Sequence, residues 1–505
     1  MEEQEKRETK KEKLSAFFKD RLNILAFAVI IFGITIRLYY LFLAGNQPLW
    51  WDESELMLYA KHIGLNTPDT GWFPYREPLL PIFWGLLFKL GANELFIRFI
   101  EFLFSITAII FTYLFGKEIF DKKTAIIATS LLSVFYLHIF YSLRFMSEAP
   151  TLAFVTIAVY YFWKGYVNKI CLKHLLISGL AIAIGFLSYY AVGFIALTIF
   201  LHLLITDRFK FLKNRKLWIA AAIIILLMLP YFIYSMITIG APIPRLAAVK
   251  ESITNPETTK VYGAWSLYLN LFPVYLQSLL LIVFLIAFLY ILINIILGID
   301  LLVKDENMNA KKDFFLFLWI VIPLVVLSYI AINTSGHGED RYLILIFPAV
   351  FLVASRLILK ISDYIKKIDK RLSLTFILLL LIVIGFQQIS YGNSLIKSKL
   401  ASYEPVKQAG LWLKQNSRQG DVVISNSIPQ NTYYSERATY YAFEDTKIKS
   451  YKPRFFVVSI FENSGETYFK YPENHQDELI PVQAYFADLE KKQPLLIIYE
   501  FKKVS

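Results

Sequence analysis

Long apolar runs separated by short charged segments dominate the chain. A run of about 20 apolar residues is enough to cross the hydrocarbon of a bilayer as a helix. The pattern predicts about eleven such spans, near 22–43, 97–116, 124–141, 148–164, 173–189, 191–205, 217–236, 274–298, 314–332, 342–359 and 373–391. The break between the fifth and sixth rests only on Ser188-Tyr189-Tyr190. Between the first two spans, 44–96 is long and amphipathic: Ser54–Ala60 reads as a short helix capped by Asp52, and Leu79–Leu90 as an interfacial or re-entrant helix too short to span. From about 392 the composition becomes that of a soluble unit. There, Tyr403–Gln415 has helical spacing, Asp421–Ser425 and Phe455–Ser459 read as strands, Val482–Lys491 as a helix and Leu495–Phe501 as a strand. The predicted class is mostly α: a polytopic membrane bundle over 22–391 and a C-terminal α/β domain over 392–505.

Lysine and arginine orient this pattern. With residues 1–21 in the cytoplasm, the inner loops hold clusters such as Arg208-Lys210-Lys213-Arg215-Lys216 and Lys366-Lys367-Lys370-Arg371, while the outer loops are poor in both. The positive-inside rule favours that arrangement and, with an odd number of spans, places the C-terminal domain outside a cell membrane. The net charge of +12 follows largely from those loops and requires no nucleic acid partner. Cys171 is the sole cysteine, which excludes an internal disulfide or a cysteine metal cluster.

Charged residues gathered at the outer ends of apolar spans are candidates for function, because charge near membrane depth is costly. Asp52 and Glu53 follow Trp50-Trp51, a pair suited to the membrane–water interface. A carboxylate there can take the proton of an attacking hydroxyl, or hold a divalent cation against a phosphate; Asp52 as a plain helix cap is the structural alternative. Arg76, beside Glu77, has the geometry for a phosphate oxygen, or it can snorkel. Arg144 and Glu148 are four apart, so a local salt bridge competes with a role in a site. His337, Glu339, Asp340, Arg341 and Tyr342 precede a late span; Arg341 is placed for a phosphate headgroup, and His337 with an acid for a metal. There is no phosphate loop, nucleophile elbow or HExxH motif.

Together these features resemble the GT-C class of integral-membrane glycosyltransferases, which includes protein O-mannosyltransferases and the aminoarabinose transferases of lipid A. The resemblance rests on Asp52-Glu53 in a long first outer loop, Arg76-Glu77-Pro78-Leu79-Leu80-Pro81 after it, and Asn93-Glu94-Leu95-Phe96-Ile97-Arg98 entering the second span. Gly116-Lys117-Glu118-Ile119-Phe120, Arg144…Glu148 and Glu339-Asp340-Arg341-Tyr342 follow. It is strong over 22–165, looser through 217–360 and only architectural beyond.

It implies inverting transfer of a sugar from a polyprenyl-phosphate donor, such as a dolichyl phosphate, to a hydroxyl of a protein, lipid or glycan on the outer face. Asp52 and Glu53 then carry catalysis, Arg341, Arg76 and Arg144 bind the donor phosphate, and Glu77, Glu148, His337 and Tyr342 line the site. A divalent metal is compatible with the acidic residues. One departure stands out: relatives carry a lysine between the fifth and sixth spans where this chain has Leu187-Ser188-Tyr189-Tyr190-Ala191. Lys-Pro-Pro of the aminoarabinose branch is likewise replaced by Arg76-Glu77-Pro78. The alternatives are a secondary transporter or lipid flippase, and a scaffold displaying the C-terminal domain. The former predicts matched halves with charges at the midplane, neither of which the pattern shows.

Overall fold

The computed structural model describes residues 19–70, 76–244, 247, 265–298, 308–333, 339–487 and 493–502. The chain is mostly helical. Helices α1 (Arg21–Ala44), α2 (Trp51–Leu65), α3 (Leu79–Lys89), α4 (Glu94–Ile119), α5 (Lys122–Val134), α6 (Tyr136–Tyr141) and α7 (Glu148–Phe162) come first. Then follow α8 (Leu172–Ser188), α9 (Gly193–Thr206), α10 (Arg215–Ile239), α11 (Leu267–Leu297), α12 (Met308–Asn333), α13 (Phe347–Lys366) and α14 (Lys370–Lys399). Among the described residues, seven helical stretches are long and apolar enough to cross a membrane; α8 and α9 are shorter, and α5–α6 breaks at Phe135.

Burial separates the centre of the bundle from its rim. The apolar core of Asp340–Lys366, a 3-10 turn leading into α13, is mostly buried, whereas α10 has few buried residues and presents Ile225, Leu226, Ile233 and Ile237 outward. An apolar exterior of this kind is stable only against lipid. Helix α1 carries a buried arginine at Arg37. Its guanidinium donates to Ser105 Oγ (2.6 Å) and to the carbonyls of Gly33, Leu132 and Ser133, and it contacts His138 Nδ1 (2.8 Å). Those acceptors satisfy a charge that would otherwise be prohibitive between helices.

The loop after α1 becomes a platform. Helices α2 and α3 lie against each other at Gly64 and Gly85, where a Cβ on Gly64 would collide with the Gly85 carbonyl and one on Gly85 would lie 2.8 Å from the Ala60 carbonyl. Glycine is therefore required for this approach. The short helix foreseen at Ser54–Ala60 runs longer, from Trp51 to Leu65, and Asp52 lies inside its first turn instead of capping it. Its entry is held by Glu53, which accepts from the Trp50 amide (3.0 Å).

The C-terminal unit comprises α15 (Glu404–Asn416), β1 (Val422–Ser425), α16 (Ile428–Ser435), β2 (Ala438–Tyr440), α17 (Asp445–Ser450), β3 (Phe455–Ser459), α18 (Glu466–Asn474), β4 (Leu479–Phe486) and β5 (Pro494–Phe501). Strand order is β2-β1-β3-β5-β4, with β1 parallel to β2 and β3, and β5 antiparallel to β3 and β4. Of the helix expected over 482–491, residues 482–486 are corrected to a strand, while 488–491 lie outside the described residues. Val482, Tyr485 and Phe486 favour a pleated surface, and the ladder to β5 outweighs the helix-forming composition of the neighbouring residues.

This unit is seated on the platform. Tyr433 and Tyr434 of α16 join Leu56, Met57, Leu80, Trp84 and Phe145 in one buried cluster. Polar ties flank it: Tyr434 Oη accepts from the Leu49 amide (2.9 Å), Tyr433 Oη donates to Glu94 (3.0 Å), and Lys61 pairs with Glu436 (2.6 Å).

Candidate functional site

A cavity of about 550 Å³ opens between the start of α2, the loop before α7, the 3-10 turn at Asp340 and the end of α14. It is lined by Trp50, Trp51, Asp52, Arg144, Glu339, Asp340, Arg341, Lys399 and Tyr403, among others. A smaller cavity beyond Arg341 is lined by Arg76, Glu77, Glu148, Tyr189 and Tyr342.

Asp52 sits at the junction, its side chain about a quarter exposed. Arg76 Nη2 donates to Asp52 Oδ1 at 2.6 Å and to Glu55 Oε2 at 2.9 Å, while Arg341 Nη2 donates to Asp52 Oδ2. Burial by itself raises the Asp52 carboxyl, but the guanidinium groups of Arg76 and Arg341 outweigh it and hold the group below the usual carboxylate range. Burial opposes the Arg76 charge; Asp52 and Glu55 outweigh it and hold that guanidinium more firmly protonated than usual. Arg341 reaches further, with Nε 3.3 Å from Glu148 and 3.5 Å from Glu339. One guanidinium thus spans carboxylates from three parts of the chain.

Glu53, its neighbour, has a different environment. It is buried, and its oxygens accept from Arg144 Nη1 (2.8 Å), the Phe145 amide (3.0 Å) and the Trp50 amide (3.0 Å), with Arg98 at 3.9 Å. Arg98 in turn donates to the carbonyls of Leu143 (2.5 Å) and Gln47 (2.7 Å). Arg144 does not pair with Glu148, as their spacing suggested. The two stand on different elements, Arg144 in the loop before α7 and Glu148 at its first residue, so their helical spacing is never realised. Arg144 instead pairs with Glu53 and lies 3.8 Å over the Trp50 ring.

Glu77 accepts from the Tyr190 amide at 3.0 Å, tying the platform to the turn between α8 and α9. Tyr342 packs near Tyr189, with ring centroids 6.2 Å apart. His337 lies outside the described residues.

Among the described residues of this region, Trp50 Nε1, Arg76 Nε, Arg98 Nε, Arg144 Nη2 and Glu148 Oε2 are buried without a hydrogen-bond partner. Native interiors rarely leave such groups unmatched, and those that remain often mark sites of chemistry or ligand contact. The described residues, as arranged, do not form a divalent-cation site. No group of three or more His, Cys, Asp or Glu suited to a metal occurs among the described residues, and Arg341 stands between Asp52 and Glu148.

Lys399 and Tyr403 are additions that the linear pattern did not disclose. Lys399 ends α14, and its ammonium lies 5.9 Å from the Trp50 ring centroid, lining the same cavity as Arg144 and Arg341. In the sequence it looks like one more basic residue flanking a span. Only the return of α14 to the platform puts it opposite residue 50.

Comparison with known proteins agrees with this architecture. The family described as "Dolichyl-phosphate-mannose-protein mannosyltransferase" matches residues 74–234. An undecaprenyl phosphate-alpha-4-amino-4-deoxy-L-arabinose arabinosyl transferase of Wigglesworthia glossinidia brevipalpis is 28% identical over 199 residues, covering 36% of this chain and 34% of the relative. The chain thus matches about a third of that protein's length. Among solved structures, ArnT from Cupriavidus metallidurans in the apo state aligns with a TM-score of 0.65 at 9% identity, over 94% of this chain and 98% of that one. The same protein bound to undecaprenyl phosphate aligns at 0.64 and 9% identity, over 94% and 97%. The oligosaccharyltransferase AglB from Archaeoglobus fulgidus, in complex with an inhibitory peptide and a dolichol-phosphate, aligns at 0.60 and 12% identity, over 88% and 70%. The bundle with its C-terminal sheet domain therefore has a GT-C fold.

Proposed function

We propose that this chain is a glycosyltransferase that moves a sugar from a polyprenyl-phosphate donor to an acceptor hydroxyl at the outer face of a cell membrane, with inversion at the transferred carbon. The observation that carries this reading is the convergence of Asp52, Arg341 and Glu148, together with Arg144 and Lys399, on cavities at one end of a membrane bundle. Relatives of the same fold that were solved with undecaprenyl phosphate or dolichol-phosphate support the donor class. The acceptor is a hydroxyl on a protein, lipid or glycan.

In this reading the acceptor oxygen attacks the anomeric carbon from the face opposite the phosphate. The new carbon–oxygen bond forms as the carbon–oxygen bond to phosphate breaks, and the departing polyprenyl phosphate takes the electron pair. Asp52 receives the acceptor's proton. Its depressed affinity for protons makes it a weak base toward a resting alcohol, so transfer occurs late, once attack has acidified the hydroxyl. Phosphate is a good leaving group and needs no acid. Catalysis then reduces to positioning the partners and neutralising charge on the leaving oxygens. Arg341, Lys399 and Arg144 face the cavity for that purpose, and Arg76 holds Asp52. Glu53 is a positioning residue, and Glu77, Glu148 and Tyr342 line the site.

The test is transfer in proteoliposomes, offering labelled polyprenyl-phosphate sugars with hydroxyl acceptors. Transfer by the wild type and its loss in a folded Asp52→Asn variant is the expected result. Unchanged turnover in that variant removes Asp52 from the chemistry.

A further inference from the structure

A second large cavity, about 730 Å³, lies at the opposite end of the bundle and has no part in the transfer reading. Its walls come from the start of α1, the α4–α5 junction, α11, the start of α12 and the last three turns of α13. Five cations line it: Lys122, Lys123, Lys312, Arg356 and Lys360. The acidic residues of the wall are Asp121 and Asp363, and Asp121 is engaged in capping α5 through the amides of Lys123 and Thr124.

Two of the cations are neutralised. Lys122 pairs with Asp20, and Arg356 with the buried Asp313. Lys312 and Lys360 instead lie against aromatic faces, Lys312 Nζ 5.7 Å from the Phe120 ring centroid and Lys360 Nζ 3.9 Å from that of Tyr290. An aromatic face steers an ammonium but leaves its charge unneutralised. The cavity therefore keeps a positive surplus inside a concave wall, unlike a lysine pointing from a loop into solvent.

Its position selects the kind of anion. The helices that build it present apolar side chains to the exterior on the same turns: Leu289, Ile293 and Ile296 flank Tyr290 on α11, and Ile361 and Tyr364 flank Lys360 on α13. A ligand seated here has a charged head in the cavity and acyl chains along those faces. We propose that this cavity binds the phosphate headgroup of an anionic phospholipid in the leaflet opposite the Asp52 cavity. Basic pockets between membrane helices are suited to such headgroups, each lysine near the surface contributing about fivefold in affinity.

The test uses the purified full chain, delipidated and exposed to mixed phosphatidylcholine and phosphatidylglycerol, with bound lipid counted by native mass spectrometry. Retained phosphatidylglycerol in the wild type, reduced about tenfold or more in Lys312→Gln/Lys360→Gln, is expected from the loss of two cations. Lys312→Arg/Lys360→Arg should restore it, which separates charge from misfolding. Equal loss in Lys213→Gln/Lys216→Gln, a basic cluster outside the cavity, would overturn the site in favour of net charge. Equal retention of phosphatidylcholine would overturn the headgroup assignment. Displacement of the lipid by millimolar inorganic phosphate would show a site for free phosphate and likewise refute the lipid reading.

Discussion

Asp52 and Glu53 are adjacent carboxylates with opposite situations. Glu53 is closed in by two arginines and two backbone amides, so its charge is spent on holding the start of α2 to the loop before α7. Asp52, one residue earlier, faces a cavity and shares its cations with other acids. The helical turn rotates one carboxylate inward and the other outward. Both carboxylates are held by arginines and both border the cavity, so what distinguishes the two is exposure: the Asp52 side chain is 27% exposed and that of Glu53 only 1%.

The sharpest way to break this contrast is to substitute each in turn. Asp52→Asn should keep the fold and lower transfer by about 10²- to 10⁴-fold, the range for loss of a general base; radiolabel transfer in vesicles measures it. Glu53→Leu should act on stability instead. It strands Arg144 in a buried site, a loss of about 3–5 kcal/mol, visible as a lowered unfolding midpoint in detergent. A stable Glu53→Leu protein that folds normally and fails only in turnover would reverse the assignment.

Lys399→Gln separates charge from packing at the cavity wall. If the lysine receives the donor phosphate, KM for the donor should rise by about tenfold, with unchanged thermal stability and partial recovery in Lys399→Arg. A smaller effect concerns pH. The depressed Asp52 carboxyl contributes stability that is complete above the ordinary carboxylate range and lost only as pH falls through its lower folded value, so its ion pairs should persist throughout the neutral range. Glu462 behaves in the reverse sense. Burial raises it to about 7, against bonds from Gln430 and Tyr403 that lower it, so its contribution is present at low pH and fades as pH rises through about 7. The C-terminal domain should therefore unfold at a slightly lower temperature at about pH 8 than at about pH 6, and Glu462→Gln should flatten that slope, as read by circular dichroism.

Much of the bundle was visible in the linear pattern because apolar length is a direct consequence of bilayer thickness. Most expected spans fall on α-helix, though that at 124–141 breaks at Phe135 and that at 342–359 begins in a 3-10 turn, and the interfacial segment after Pro78 is α3. Charge at the ends of apolar spans likewise singles out Asp52, Arg341, Arg76 and Glu148, which converge in space. What escaped depends on long-range return of the chain. Saturation of Glu53 needs Arg144 and Phe145, some ninety residues away, and the presence of Lys399 needs the last helix to close the cavity. Strand β4 was misread for the same reason, since its identity comes from pairing with β5 and not from its own composition.

The bond from the Leu49 amide to Tyr434 joins residues 385 positions apart. During biosynthesis every membrane helix has emerged before that tyrosine exists. The backbone just ahead of Asp52, already held by Arg98 at the Gln47 carbonyl, therefore gains this second tie only once the C-terminal domain has been made and folded. A ribosome-stalled or proteolytically shortened product would carry all the site's charged side chains in α2 and α7 yet lack the clasp that fixes their entry strand. Maturation of the cavity is in this sense a late event, timed by the far end of the polypeptide.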